Sequence, residues 1–205
     1  MNLSRNRWIL AAGVTGVAVS VAIAGAVAAN AAQDPAAAPA SHAPGRPSTP
    51  DAPPPAPRTL GDVIDTGIAA KQGSWVLCFV PVKDMPGTSF GLMAGRRQAS
   101  GAVTADVMTN ETTGSDRAPG FHAVEGTMEV SGEPTPTFGY YVGPAAKITA
   151  RAGGRTVTAT PAAWSEDESV KAFWFSAATG PVSDLTALDA AGKKLPVGNA
   201  EIGVG

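Results

Sequence analysis

The chain has 205 residues, with 15 basic and 17 acidic side chains, a formal net charge of −2 and a single cysteine. That balance provides no broad basic surface, which argues against nucleic acid as a partner and against adsorption to an anionic membrane. One cysteine permits no internal disulfide, so stability has to come from an ordinary apolar core.

Residues 8–29, WILAAGVTGVAVSVAIAGAVAA, carry no charge, and Arg5 and Arg7 precede them. Positive charge ahead of an apolar run holds that end in the cytoplasm and sends the remainder across the membrane. Ala29-Asn30-Ala31 fits the small-x-small pattern cut by signal peptidase, which makes 1–31 a signal peptide and Ala32 the first mature residue. The alternative is an uncleaved signal anchor: a helix of that length spans about 33 Å, enough for a hydrocarbon core of roughly 30 Å. Cys78 lies too far downstream for a lipoprotein. Both readings place residues 32–205 outside the cytoplasm, with membrane contact only through 8–29.

Residues 32–58 form an Ala/Pro-rich linker, and Pro35 to Pro57 includes nine of the 18 prolines. Proline removes amide donors and the alanines between offer little to bury, so a disordered spacer is expected, with His42 solvated in it. From Thr59 to Gly205 the texture changes. Short runs rich in Val, Thr and aromatics are punctuated by 20 of the 24 glycines, the pattern of strands joined by tight turns. The predicted strands are 62–68, 74–82, 89–94, 102–108, 121–130, 137–142, 147–150, 155–159, 170–175 and 182–188. Ser74–Val82 is nearly continuous in apolar residues and is predicted to be a central strand buried on both faces, with Cys78 a structural thiol. Arg96–Gly101 reads as an exposed turn and Asn110–Gly120 as a polar loop. Gly153-Gly154 closes the clearest hairpin. The expected fold is all-β: an antiparallel β sandwich, immunoglobulin-like in its second half, with a small β barrel as the alternative.

Three segments carry a resemblance: Gly91-Leu92-Met93-Ala94-Gly95-Arg96-Arg97, Pro119-Gly120-Phe121-His122-Ala123-Val124 and Phe138-Gly139-Tyr140-Tyr141-Val142-Gly143-Pro144-Ala145-Ala146. Through them residues 60–190 resemble a group of uncharacterised exported, membrane-anchored β-domain proteins of actinobacteria. The resemblance implies an extracytoplasmic address and no catalytic residues.

Candidate chemistry is thin. Gly87-Thr88-Ser89-Phe90-Gly91 matches the G-x-S-x-G elbow, and His122 with Asp106 or Asp116 would complete a triad in formal order. The residues after Ser89 read as strand, however, where the elbow needs a helix. His122 with Glu125 or Asp116 makes a poor metal set, and Glu166-Asp167-Glu168 lacks the alternation of a calcium loop. No catalytic residue, metal ligand or cofactor is assigned.

The aromatics are the better lead. In Phe173-Trp174-Phe175, and in Tyr140-Tyr141, adjacent rings point to opposite faces of a strand. An outward-facing set of Tyr140, Tyr141, Trp164 and Trp174 would make a patch for a glycan or an envelope protein. The expected function is an exported envelope or secreted module with a binding or structural role. A membrane-anchored sensor ectodomain and a hydrolase around Ser89 and His122 are the alternatives.

Overall fold

The computed structural model describes residues 56–203. The run 8–29, the cleavage positions Ala29 and Ala31, His42 and the 32–58 linker up to Pro55 lie outside the described residues. Among those described, 57% of positions are strand, and the sheets are antiparallel apart from one short parallel pairing. None of the sheets closes into a barrel, which overturns the barrel alternative. No helix among them is long and apolar enough to cross a membrane.

The first four strands, β1 (Leu60–Ala69), β2 (Ser74–Pro81), β3 (Phe90–Arg97) and β4 (Val103–Asn110), make a meander in the order β1-β2-β3-β4. The next are β5 (Gly120–Glu125), the two-residue β6 (Glu129–Val130) and β7 (Glu133–Pro134), and β8 (Thr137–Val142). β9 (Lys147–Ala152) and β10 (Arg155–Thr158) form the expected Gly153-Gly154 hairpin. β11 (Thr160–Trp164), β12 (Asp167–Phe175), β13 (Ser183–Leu188) and β14 (Ile202–Gly203) complete the chain. They assemble a five-stranded sheet, β11-β12-β8-β5-β14, and a three-stranded one, β10-β9-β13.

The five-stranded sheet is apolar on both faces. Phe138, Tyr140, Ala172 and Trp174 pack with Trp75, Leu77, Phe79, Phe90 and Leu92 of the four-stranded sheet. Phe121, Tyr141, Phe173 and Phe175 pack with Ile148, Ala150, Leu185 and Ala187 of the three-stranded sheet. The alternation of strand side chains thus feeds two separate cores from one sheet. In β5 a bulge sets His122 opposite Tyr140 and Glu125 opposite Phe138, and Ala123 within it adopts φ 48°. The extra residue lets His122 and Ala123 share one face before Val124 returns to the other.

Two predicted boundaries move. Arg96 and Arg97 belong to β3, and only residues 98–101 turn. Arg96 grips Asp106 with two nitrogens, at 2.9 and 2.6 Å, and reaches Glu133 at 3.2 Å, so it fastens the β6–β7 arm rather than facing water. The predicted strand 121–130 breaks after Glu125. β11 has no counterpart among the predicted strands, since Pro161 and two alanines hide it; proline is tolerated there because β11 is an edge strand.

Phe79 is fully buried between the four- and five-stranded sheets, stacked on Trp164 with ring centroids 4.5 Å apart. Phe79→Ala is expected to cost about 3–5 kcal/mol in urea unfolding. Met108→Ala, at an exposed site, should stay within about 0.5 kcal/mol.

Candidate functional site

The four aromatics of the predicted patch are all buried: Tyr140 and Tyr141 at 0%, Trp164 at 4% and Trp174 at 5% exposure. The outward-facing patch is not formed. The physical reason is the second core: side chains turned away from one layer meet another layer instead of water. Each polar tip ties down a distant segment. Trp164 Nε1 donates to the Leu60 carbonyl at 2.9 Å and Trp174 Nε1 to that of Thr66 at 3.1 Å, so both tryptophans hold β1. The Tyr140 hydroxyl donates to the Asp116 carbonyl, and that of Tyr141 to the Pro196 carbonyl. Burial, joined by the charges of Asp116 and Glu111, raises the Tyr140 phenol far above its ordinary value. These are structural aromatics with satisfied polar atoms.

The polar loop after β4 supplies the most concentrated chemistry. Glu111 is fully buried, and Asp116 and His122 are nearly so. Glu111 Oε1 accepts from the amides of Thr112 at 2.9 Å and Thr113 at 2.8 Å, and from Asn199 Nδ2 at 3.1 Å. Its Oε2 lies 2.7 Å from His122 Nδ1. His122 Nε2 lies 2.6 Å from the Ala118 carbonyl, which can only accept, so that nitrogen carries hydrogen. Burial alone would raise the Glu111 carboxyl. The Thr113 amide, His122 and Asn199 outweigh it and hold the group below its ordinary value. Glu111 is therefore the buried carboxylate at the centre of these contacts, with His122 Nδ1 facing its Oε2. The imidazole also stacks on Tyr140, with centroids 5.1 Å apart.

These contacts place the three residues of the formal triad. The Ser89 hydroxyl donates to Asp116 Oδ2 at 2.9 Å, and the same oxygen accepts from the amides of Ser89 and Phe90. Ser89 and Asp116 are brought together; His122 is not added to them, because both its ring nitrogens are engaged elsewhere. Asp106 lies with Arg96 instead. The Ser89 segment runs straight into β3, with no helix after it. Glu125 accepts no hydrogen bond among the described residues, and burial raises its carboxyl. Cys78 is fully buried, and burial pushes its thiol up to about 11 against a small lowering by Arg97. No group of three or more His, Cys, Asp or Glu among the described residues converges as a metal site.

Several open cavities remain among the described residues, two of them larger than about 400 Å³. A cleft of about 600 Å³ opens where β8 and β13 begin, lined by Thr127, Thr137, Val182, Ser183, Asp184 and Ile202. A shallower groove of about 410 Å³ runs beside β4, over Val80, Met93, Val107 and Met108. The cleft combines three neutral hydroxyls, one carboxylate and an apolar floor, a lining suited to a small polar ligand. Neither cavity contains a predicted site residue.

Sequence reasoning missed Glu111, which sits unmarked in a run of polar residues. The one available signal was His122, the only histidine after residue 42 and set within a strand, where a buried imidazole needs partners. No family model, curated protein or solved structure matches the chain.

Removing Glu111 would strand the buried His122 Nδ1, the Asn199 side-chain amide and two backbone amides. Glu111→Ala is expected to cost about 3–5 kcal/mol at neutral pH, measured by urea unfolding. In the native protein the Glu111 carboxyl is held below its unfolded value, so its contribution is complete above roughly pH 4.3. It is lost as pH falls through the lowered folded value, and the Glu111→Ala variant should lack that component of the acid limb.

Proposed function

We propose that the chain is an exported β module of the cell envelope or extracellular space, with a binding or structural role and no hydrolytic one. The observation that carries this reading is the uncharged run 8–29 behind Arg5 and Arg7, followed by the Pro-rich linker and then by the β domain. The architecture is read as a stacked β sandwich. Its immunoglobulin-like part would be residues 137–188, where β8 and β12 face β9 and β13 across the core around Phe173. Against the hydrolase alternative stands the commitment of Ser89 to Asp116 and of His122 to Glu111 and Ala118.

A glycan or an envelope protein is the proposed partner. With the aromatics buried, the cleft lined by Thr127, Thr137, Ser183 and Asp184 replaces the aromatic patch as the place to look. The anchored ectodomain is supported by the length of 8–29 and by the spacer, which is most useful to a domain held at a surface.

The test is the intact mass and amino terminus of the protein from its native host, with medium, membranes and cytosol assayed separately. A product beginning at Ala32 in the medium, or the full chain in membranes, is the expected outcome, and each selects one of the two forms. Full-length protein in the cytosol overturns the proposal.

A further inference from the structure

Glu111 connects three segments that are distant in sequence: its own loop, His122 on β5, and Asn199, 88 residues away. Asn199 belongs to a strap, residues 195–203, that runs beside β5 as the last member of the five-stranded sheet. The strap is lightly held. β14 pairs with β5 only at Ile202–Val124 and Gly203–Glu125, with one bridge between Gly198 and Phe121. The strap's hydrogen bonds are few: the Phe121 amide donates to the Val197 carbonyl, the Asn199 amide to that of Phe121, the Gly126 amide to that of Gly203 and the Tyr141 hydroxyl to that of Pro196, while the Leu195 amide donates to the Ala187 carbonyl of β13. Leu195, Ala200 and Ile202 pack on the core while only partly buried, and Val197 is 56% exposed. A short ladder with few buried apolar contacts is the mark of a segment that opens on its own.

We propose that the Glu111–His122 pair is an acid-released latch: protonating Glu111 frees the strap 195–203 from β5 while the three sheets stay folded. A proton on Glu111 Oε2 neutralises the one carboxylate at the centre of this network and removes an acceptor facing His122 Nδ1. No neighbour replaces it. From the loop come Asp116, already accepting from Ser89 and Phe90, and Arg117, paired with Asp167 and lying over Phe90 and Trp164. From β8 comes Tyr140, whose hydroxyl is used on the Asp116 carbonyl. The strap contributes the uncharged Asn199 and an exposed Glu201. The loop side is pinned through Asp116, so the side that yields to water is the strap. Because its amide donors, His122 and Asn199 hold the Glu111 carboxyl low, the latch is closed at neutral pH and opens in acid.

The test is hydrogen–deuterium exchange of the full chain across neutral to acid pH, with intrinsic rates corrected for pH. Residues 195–203 are expected to lose about tenfold or more of their protection at a pH where β8 and β12 remain protected. In Glu111→Gln the new carbonyl keeps the Thr112, Thr113 and Asn199 donors, and its amide faces His122 Nδ1. Release should then move to higher pH, because the carboxylate that faced His122 is gone. Asn199→Ala should leave the strap fast-exchanging at every pH. The proposal is overturned by strap protection that does not change with pH, by loss only together with β8 and β12, or by a Glu111→Gln midpoint that fails to rise.

Discussion

The structure depends on a sheet that cannot leave either face in water. Phe173, Trp174 and Phe175 are consecutive, all nearly inaccessible, and a strand must turn the outer two one way and the middle one the other. A two-layer arrangement would expose one set. The chain answers with a second cover, the β9–β13 sheet, and the same demand recurs one strand over at Tyr140 and Tyr141. Three layers follow from these adjacent aromatic residues. With no disulfide, the apolar clusters on the sheet faces and the hydrogen bonds at the aromatic tips carry the stability.

Between the strands, buried polar groups take the place that metals or cross-links hold in many small domains. Glu111, Asp116, His122 and Glu133 are inaccessible or nearly so, and no buried side-chain nitrogen or oxygen among the described residues lacks a partner. Each joins segments that share little apolar contact: Asp116 the loop to the start of β3, Glu133 the short arm to Arg96 and to the Lys71 amide, Glu111 the loop to β5 and the strap. Such groups are costly to bury and more costly to orphan, so they specify one arrangement of the loops more than they add net stability.

The repetitive parts of this fold were legible in the sequence. β2 and β8 fall where apolar density placed them, the Gly153-Gly154 hairpin forms, and Cys78 lies in a strand buried on both faces. The direction of individual aromatic side chains was legible only as a choice between water and a second layer, because strand periodicity says that neighbours diverge and not what awaits them. β11 was hidden by its proline and alanines, and Arg96 by its place next to turn residues. The polar network was illegible for a different reason. Glu111 and Asp116 look like any loop carboxylates until the chain brings His122, Ser89 and Asn199 to them, and contacts across tens of residues leave no local period.

Cys78 makes the integrity of this fold chemically visible. Its thiol has no solvent access and no partner thiol in the chain, so in oxidising surroundings it is safe only while β2 stays covered. Any excursion that uncovers β2 presents one reactive sulfur that can be satisfied only by another molecule. Where an oxidant takes up the two electrons and two protons released, two copies caught open together would be joined by a disulfide, and neither could return to its native packing. In such surroundings the working lifetime of the domain would be set by how rarely β2 is exposed, a rate, and not by the folded fraction at equilibrium.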